Sequence, residues 1–165
     1  MPVERRPNPW KGLLAGAVGG LAGSFAMSQV HSLLLPAAPA SSEQDKEDST
    51  VKAASAISRG VFHHELTEHE KNVSGPVVHY GFGASMAAIY GTMVEFEPSM
   101  HVGWGMPFGA TVWLGAHVIT VPALALSEPV TRSTPAQEAA EFGAHILYGL
   151  VVESLRRFLR IYLLS

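Results

Sequence analysis

The chain has 165 residues, 47% of them hydrophobic, a formal net charge of −3 and no cysteine. That length is room for one domain, and the mild acidity argues against a nucleic-acid partner. Without cysteine there is no disulfide framework, thiolate chemistry or cysteine-ligated metal.

The placement of charge says more than its total. No Asp, Glu, Lys or Arg lies between Lys11 and Glu43, between Lys71 and Glu95, or between Glu97 and Glu128. A soluble helix keeps a charged face for water, and these stretches have none. Each is long enough for the roughly 20 apolar residues that cross a hydrocarbon core. Strands are a poor alternative, because membrane strands alternate strictly and these runs do not.

In chain order, residues 1–11 are polar and basic, with Arg5, Arg6 and Lys11. The first predicted span is 12–35, stopped by Pro36. An external loop, 37–75, opens on a small-residue acidic linker. It then carries a helical patch with Val51, Ala54, Ile57 and Val61 on one face, ending near Gly60. Thr67 and Glu70 have the spacing of a capping box, which predicts a short helical turn. The second span, 76–96, opens at Pro76, a favoured first-turn residue. A tight connection, Glu97–Val102, leads to the third span, 103–126. The fourth, 138–160, has a short charge-free core, Phe142–Val152, between Glu141 and Glu153. Basic residues followed by an apolar run and Ala38-Pro39-Ala40 could also be a secretory signal. That run is long for a signal core, and three more candidate spans follow it.

Arg5, Arg6 and Lys11 flank the first span, and Arg156, Arg157 and Arg160 flank the last. By the positive-inside rule both termini are expected in the cytoplasm. Lys46, Lys52, Arg59 and Lys71 weaken the bias by lying in the external loop. The expected fold is an all-α, integral membrane four-helix bundle in one domain. Gly16-Ala17 with Leu21 is matched by Gly109-Ala110 with Leu114. His79 and Tyr90-Gly91 echo His145 and Tyr148-Gly149. These echoes point to two related helical hairpins.

Small residues recur at four-residue intervals: Gly12, Gly16, Gly20 and Ser24, then Gly83, Ala87 and Gly91, then Gly105 and Gly109. This spacing lets helix backbones approach closely in lipid. Gly16, Gly20, Gly83, Gly91 and Gly109 are therefore expected packing positions. The same glycines do not make a phosphate loop, since the spacing is not G-x-G-x-x-G and no strand precedes them.

His31, His79, His117 and His145 fall in the outer half of the expected spans. Ionisable groups at that depth face a bundle interior or water. They read as histidines hydrogen-bonded between helices, or as a ligand cluster or proton path. Tyr80 and Tyr148 follow two of them and can supply partners. We therefore expect His79 and His145 to face one another's helices, with Tyr80 or Tyr148 nearby. Glu153 stands three and four residues before Arg156 and Arg157, the spacing of a local ion pair, with a proton-relay carboxylate as the sharper reading. His63-His64-Glu65-Leu66-Thr67-Glu68-His69 departs from H-E-x-x-H by one residue, so no metal site is expected there. No nucleophile elbow, triad spacing or nucleotide motif occurs; Ser85 sits in GASMA.

Three segments in order carry a resemblance. They are Gly75-Pro76-Val77-Val78-His79-Tyr80-Gly81-Phe82-Gly83 with Tyr90-Gly91; Pro107-Phe108-Gly109-Ala110-Thr111-Val112-Trp113-Leu114-Gly115 with Val121-Pro122-Ala123-Leu124; and His145-Ile146-Leu147-Tyr148-Gly149 through Glu153 to Arg157. Over Gly12 to Arg160 the chain resembles the YagU-like family of small bacterial inner-membrane proteins, whose defining domain has no established function. The resemblance implies a helical inner-membrane protein. His117-Val118 departs from an acidic pair common among related sequences, which argues against a fixed metal role for His117. The expected function is non-enzymatic: a structural or accessory membrane component, with the bilayer, a second copy or a larger complex as partner and no cofactor. The alternatives are a small transporter or proton conductor using His31, His79, His117, His145 and Glu153, and a haem-binding redox subunit with His79 and His145 as axial ligands.

Overall fold

A computed structural model describes residues 7–34, 49–127 and 133–163. Every regular element among them is helical. α1 spans Pro9–Leu34 and α2 spans Ser49–Ile57, which a π-helical turn, Ser58–Phe62, extends. α3 is Glu68–Phe96. A 3-10 turn, Pro98–His101, leads into α4, which starts as Met106–Val112, widens into a π-helical stretch, Trp113–Thr120, and ends in Val121–Ala123. α5 is Pro135–Tyr162. Arg5, Arg6, Pro36, the linker with Ala38-Pro39-Ala40 and Lys46, and Ser165 lie outside the described residues.

The expected boundaries shift at α3. The capping box is present: Thr67 Oγ1 accepts from the Glu70 amide at 3.4 Å, and the Glu70 carboxylate accepts from the Thr67 amide at 2.7 Å. It starts the whole of α3 rather than a separate turn. Pro76 therefore lies inside the helix, not at its head. The carbonyl its missing N–H leaves without a helical partner belongs to Asn72, which is exposed and can be solvated. A second capping box, Thr134 with Gln137, starts α5.

Among the described residues one helix, Pro9–Leu33, is by length and composition able to cross a membrane by itself. α4 is interrupted by its π stretch, and α5 carries Glu138, Glu141, Glu153 and three arginines.

Glycine decides how the helices meet. A Cβ on Gly16 would overlap the Ala87 carbonyl, and one on Gly20 the Gly83 carbonyl, so α1 lies backbone to backbone on α3. Gly19 and Gly23 point the other way, against Val152 and Tyr148 of α5. α1 is thus sandwiched between α3 and α5. Gly12 meets Gly91 in the first hairpin, as Gly105 meets Gly149 in the second; Gly16 meets Ala87 as Gly109 meets His145. The four-residue steps therefore serve contacts inside one chain. In this register Tyr90-Gly91 corresponds to Tyr148-Gly149, whereas His145 corresponds to Ala87 and not to His79. A buried cluster of Met27, Ala87, Tyr90, Val94, Val112, Ala144, Tyr148 and Val152 fills the centre.

Candidate functional site

Polar side chains gather at the two ends of α5. At its C-terminal end the Glu153 carboxylate is fully buried. Arg156, one turn on, donates to it from Nε at 2.7 Å and from its terminal nitrogen at 2.8 Å. Arg157 Nε donates to the same group, and Tyr90 of α3 donates its hydroxyl at 3.1 Å. Arg157 also reaches the His101 carbonyl at 3.3 Å and lies 4.3 Å above the Trp104 ring. Trp104 is set there by a left-handed run, Gly103, Trp104 and Gly105 at φ 76°, 55° and 79°. A Cβ at Gly105 would overlap the Gly149 carbonyl, so the tight turn and the close approach both require glycine. Beside this knot Arg160 donates to both oxygens of Glu95 of α3, and the Asn8 amide donates to Oε2 at 3.0 Å. Two carboxylates thus tie α5 to α3 and to Asn8 at the head of α1, and Arg157 adds the turn before α4.

The local Glu153–Arg156–Arg157 pairing was legible from its spacing; the Glu95–Arg160 pair, 65 residues apart, was not. The one sequence signal was that Glu95 closes a charge-free run.

At the other end of α5, His31 of α1 approaches Glu141 at 3.2 Å, and His117 of α4 approaches Glu138 at 3.3 Å. The second contact is off hydrogen-bond alignment, so His117 Nε2 and Glu138 Oε2 are shielded from solvent with no hydrogen-bond partner among the described residues. The rings of His117 and His145 are 6.1 Å apart, and His145 Nδ1 bonds back to the Glu141 carbonyl at 2.8 Å. The π stretch carries His117 into this group, and Trp113, one turn before, packs edge-on against Phe142. Among the described residues no group of three or more such side chains is placed to hold a metal ion.

His79 belongs to neither cluster. Its Nε2 donates to the Ser24 carbonyl of α1 at 3.2 Å, and its ring meets Tyr80 edge-on at 5.5 Å. Tyr148 donates to the Gly83 carbonyl at 2.6 Å, bridging α5 to α3. Between the clusters, Phe108 stacks on Tyr90 at 4.2 Å and lies 5.7 Å from Tyr148. His79 and His145 each bond to a backbone carbonyl, of Ser24 and Glu141 respectively, and Tyr80 lies beside His79 as expected. His31, His117 and His145 come together with two glutamates, of which Glu138 had not been singled out.

Near the start of α3, outside the expected spans, the Glu70 carboxyl is held down to about 2 by the Thr67 amide and hydroxyl, with His64 contributing.

No curated protein and no solved structure matches the chain. One family model matches residues 57–154, from the end of α2 to Ser154 in α5. It takes in His79, Tyr80, His117, His145 and Tyr148 and leaves α1 outside. The chain belongs to that family, whose description is "Protein of unknown function (DUF1440)".

Proposed function

We propose that the chain is a multi-pass membrane protein of four spans, non-enzymatic, serving as a structural or accessory component of the bacterial inner membrane. The observation that carries this is an inversion of polarity. Along α1 the outward stripe is Trp10, Leu14, Val18, Leu21 and Phe25, the last 57% exposed, while the inward face is glycine, alanine and Ser24. Val77, Phe82, Ile89 and Phe96 of α3 are likewise exposed, and Glu153, Arg156 and Arg160 are buried. In water that distribution leaves a large apolar surface wet. In lipid it puts apolar side chains against acyl chains and pairs the charges inside. The matching glycine registers support the reading of two related hairpins.

Because those glycines are occupied within one chain, association with a second copy or a larger complex would use the outer faces. Both termini are read as cytoplasmic, from the flanking arginines. Alkaline carbonate washing should leave the protein with the membrane. A cysteine at Ser49 should react with an impermeant thiol reagent in intact cells, and one at Ser165 should not. Extraction by carbonate, or labelling at Ser165, would overturn the respective halves of the reading. Copurification in mild detergent tests the accessory role.

A second reading, proton or cation conduction, is favoured by the His117–Glu138 contact, whose facing atoms lack hydrogen-bond partners. It predicts flux in proteoliposomes that is lost in His117→Ala. Axial ligation of one haem requires His79 and His145 to face a common cavity, and the separate backbone partners of the two rings give that reading no support.

A further inference from the structure

α2 and its π turn present Lys52, Ser55, Ala56 and Arg59 on one side, at the spacing of successive helical turns. After Phe62 the chain reverses through His63, at φ 54°, and the His64 amide closes onto the Ser58 carbonyl at 3.3 Å. This brings Glu65 and Leu66 opposite the helix. Leu124, Ala125 and Leu126, just beyond α4, complete a cavity of about 400 Å³. The cavity lies where α2 packs on the head of α3, against Gly75.

Its chemistry is two-sided. Lys52 and Arg59 supply positive charge, and Glu65 offsets part of it. Lys71 also borders the cavity, with its ammonium held by Glu68 at 2.8 Å. Ser55 Oγ is shielded and has no hydrogen-bond partner among the described residues. Rotation about one bond can turn it toward a ligand oxygen. The opposite wall is leucine. A cationic rim with a spare hydroxyl suits a phosphate, while the leucines have no use for a free ion. The volume is that of a small-molecule site, too small for a protein surface to enter.

We propose that this cavity binds the phosphate headgroup of an anionic phospholipid, its acyl chains lying along Leu124 and Leu126. The proposal rests on the membrane reading above, which puts this end of the helices at the lipid–water interface. The phosphate accepts from Arg59 and Lys52, and the tail occupies apolar surface that would otherwise be wet.

The test is titration of the full chain in neutral detergent with three probes: dihexanoyl phosphatidylglycerol, dihexanoyl phosphatidylcholine and inorganic phosphate. Saturable binding of phosphatidylglycerol, at least tenfold tighter than phosphatidylcholine, is expected, and phosphate alone should bind weakly. Arg59→Gln and Lys52→Gln should each weaken phosphatidylglycerol binding at least fivefold with the melting temperature unchanged. Equal affinity for the two lipids, or undiminished binding by both variants, would overturn the proposal. Phosphate binding as tightly as phosphatidylglycerol would overturn its lipid part. If Arg59→Gln fails to fold, Lys52→Gln and the lipid comparison still decide it. Failure of the membrane reading is seen separately, in the carbonate wash.

Discussion

Replacing Glu153 by Gln removes one charge and almost no volume, so it isolates the electrostatics of the buried knot. The wild-type carboxylate is fully buried and receives donors from Arg156, Arg157 and Tyr90. Arg156 is itself only 6% exposed. At an effective dielectric of about 20, one pair of unit charges about 4 Å apart is worth roughly 4 kcal/mol. Glutamine keeps one acceptor oxygen but leaves Arg156 and Arg157 as adjacent cations, one of them with little access to water. Removing one partner of a buried pair typically costs about 3–5 kcal/mol, and that range is expected here. The double substitution Glu153→Gln with Arg156→Met removes the stranded cation and should recover a large part of the loss. Arg157→Ala should cost less, about 1–2 kcal/mol, because that side chain is more exposed and its stacking on Trp104 is of ordinary strength. Reversible denaturation in mixed micelles, followed by circular dichroism, measures all four proteins. The reasoning is refuted if Glu153→Gln lies within about 1 kcal/mol of wild type, the level of a surface pair. It also fails if the double variant is no more stable than the single one.

Two further outcomes follow from backbone contact and from the α3 cap. Gly16→Leu and Gly20→Leu should abolish folding, and even Gly16→Ala should destabilise, because the new carbon overlaps the α3 backbone; Gly115→Ala, in open space, should melt like wild type. If Gly16→Leu in detergent is as thermostable as wild type, the α1–α3 register described above is incorrect. Glu70 is a carboxylate whose folded pKa is depressed, so its contribution to stability is fully present above its ordinary value of 4.5 and is lost as pH falls through about 2. A carboxyl NMR titration of Glu70 should therefore have its midpoint near 2, and a midpoint near 4.5 would show that the capping box does not form.

Much of the local structure was open to reading from the order of residues. Charge-free runs and caps are local properties: Thr67–Glu70 marks a helix start wherever it occurs, and the structure uses it as one. Glu153 with Arg156 and Arg157 was equally readable, since three- and four-residue spacings put side chains on one helical face. The boundary at Pro76 was misread because proline is favoured in a first turn, while its tolerance inside α3 depends on whether water reaches the Asn72 carbonyl.

By itself the sequence determined an all-helical chain with small residues stepped along its apolar segments. Periodicity, capping and composition act over a few residues and need no knowledge of the rest of the fold. Which glycine meets which backbone, that Arg160 finds Glu95, and that His145 joins His31 and His117 rather than His79 were decided only by the packing. Those contacts link residues dozens of positions apart, through the rotation and axial offset of whole helices. Several registers satisfy the four-residue glycine pattern equally well. The one adopted buries both acidic groups against their arginines while the helix backbones touch.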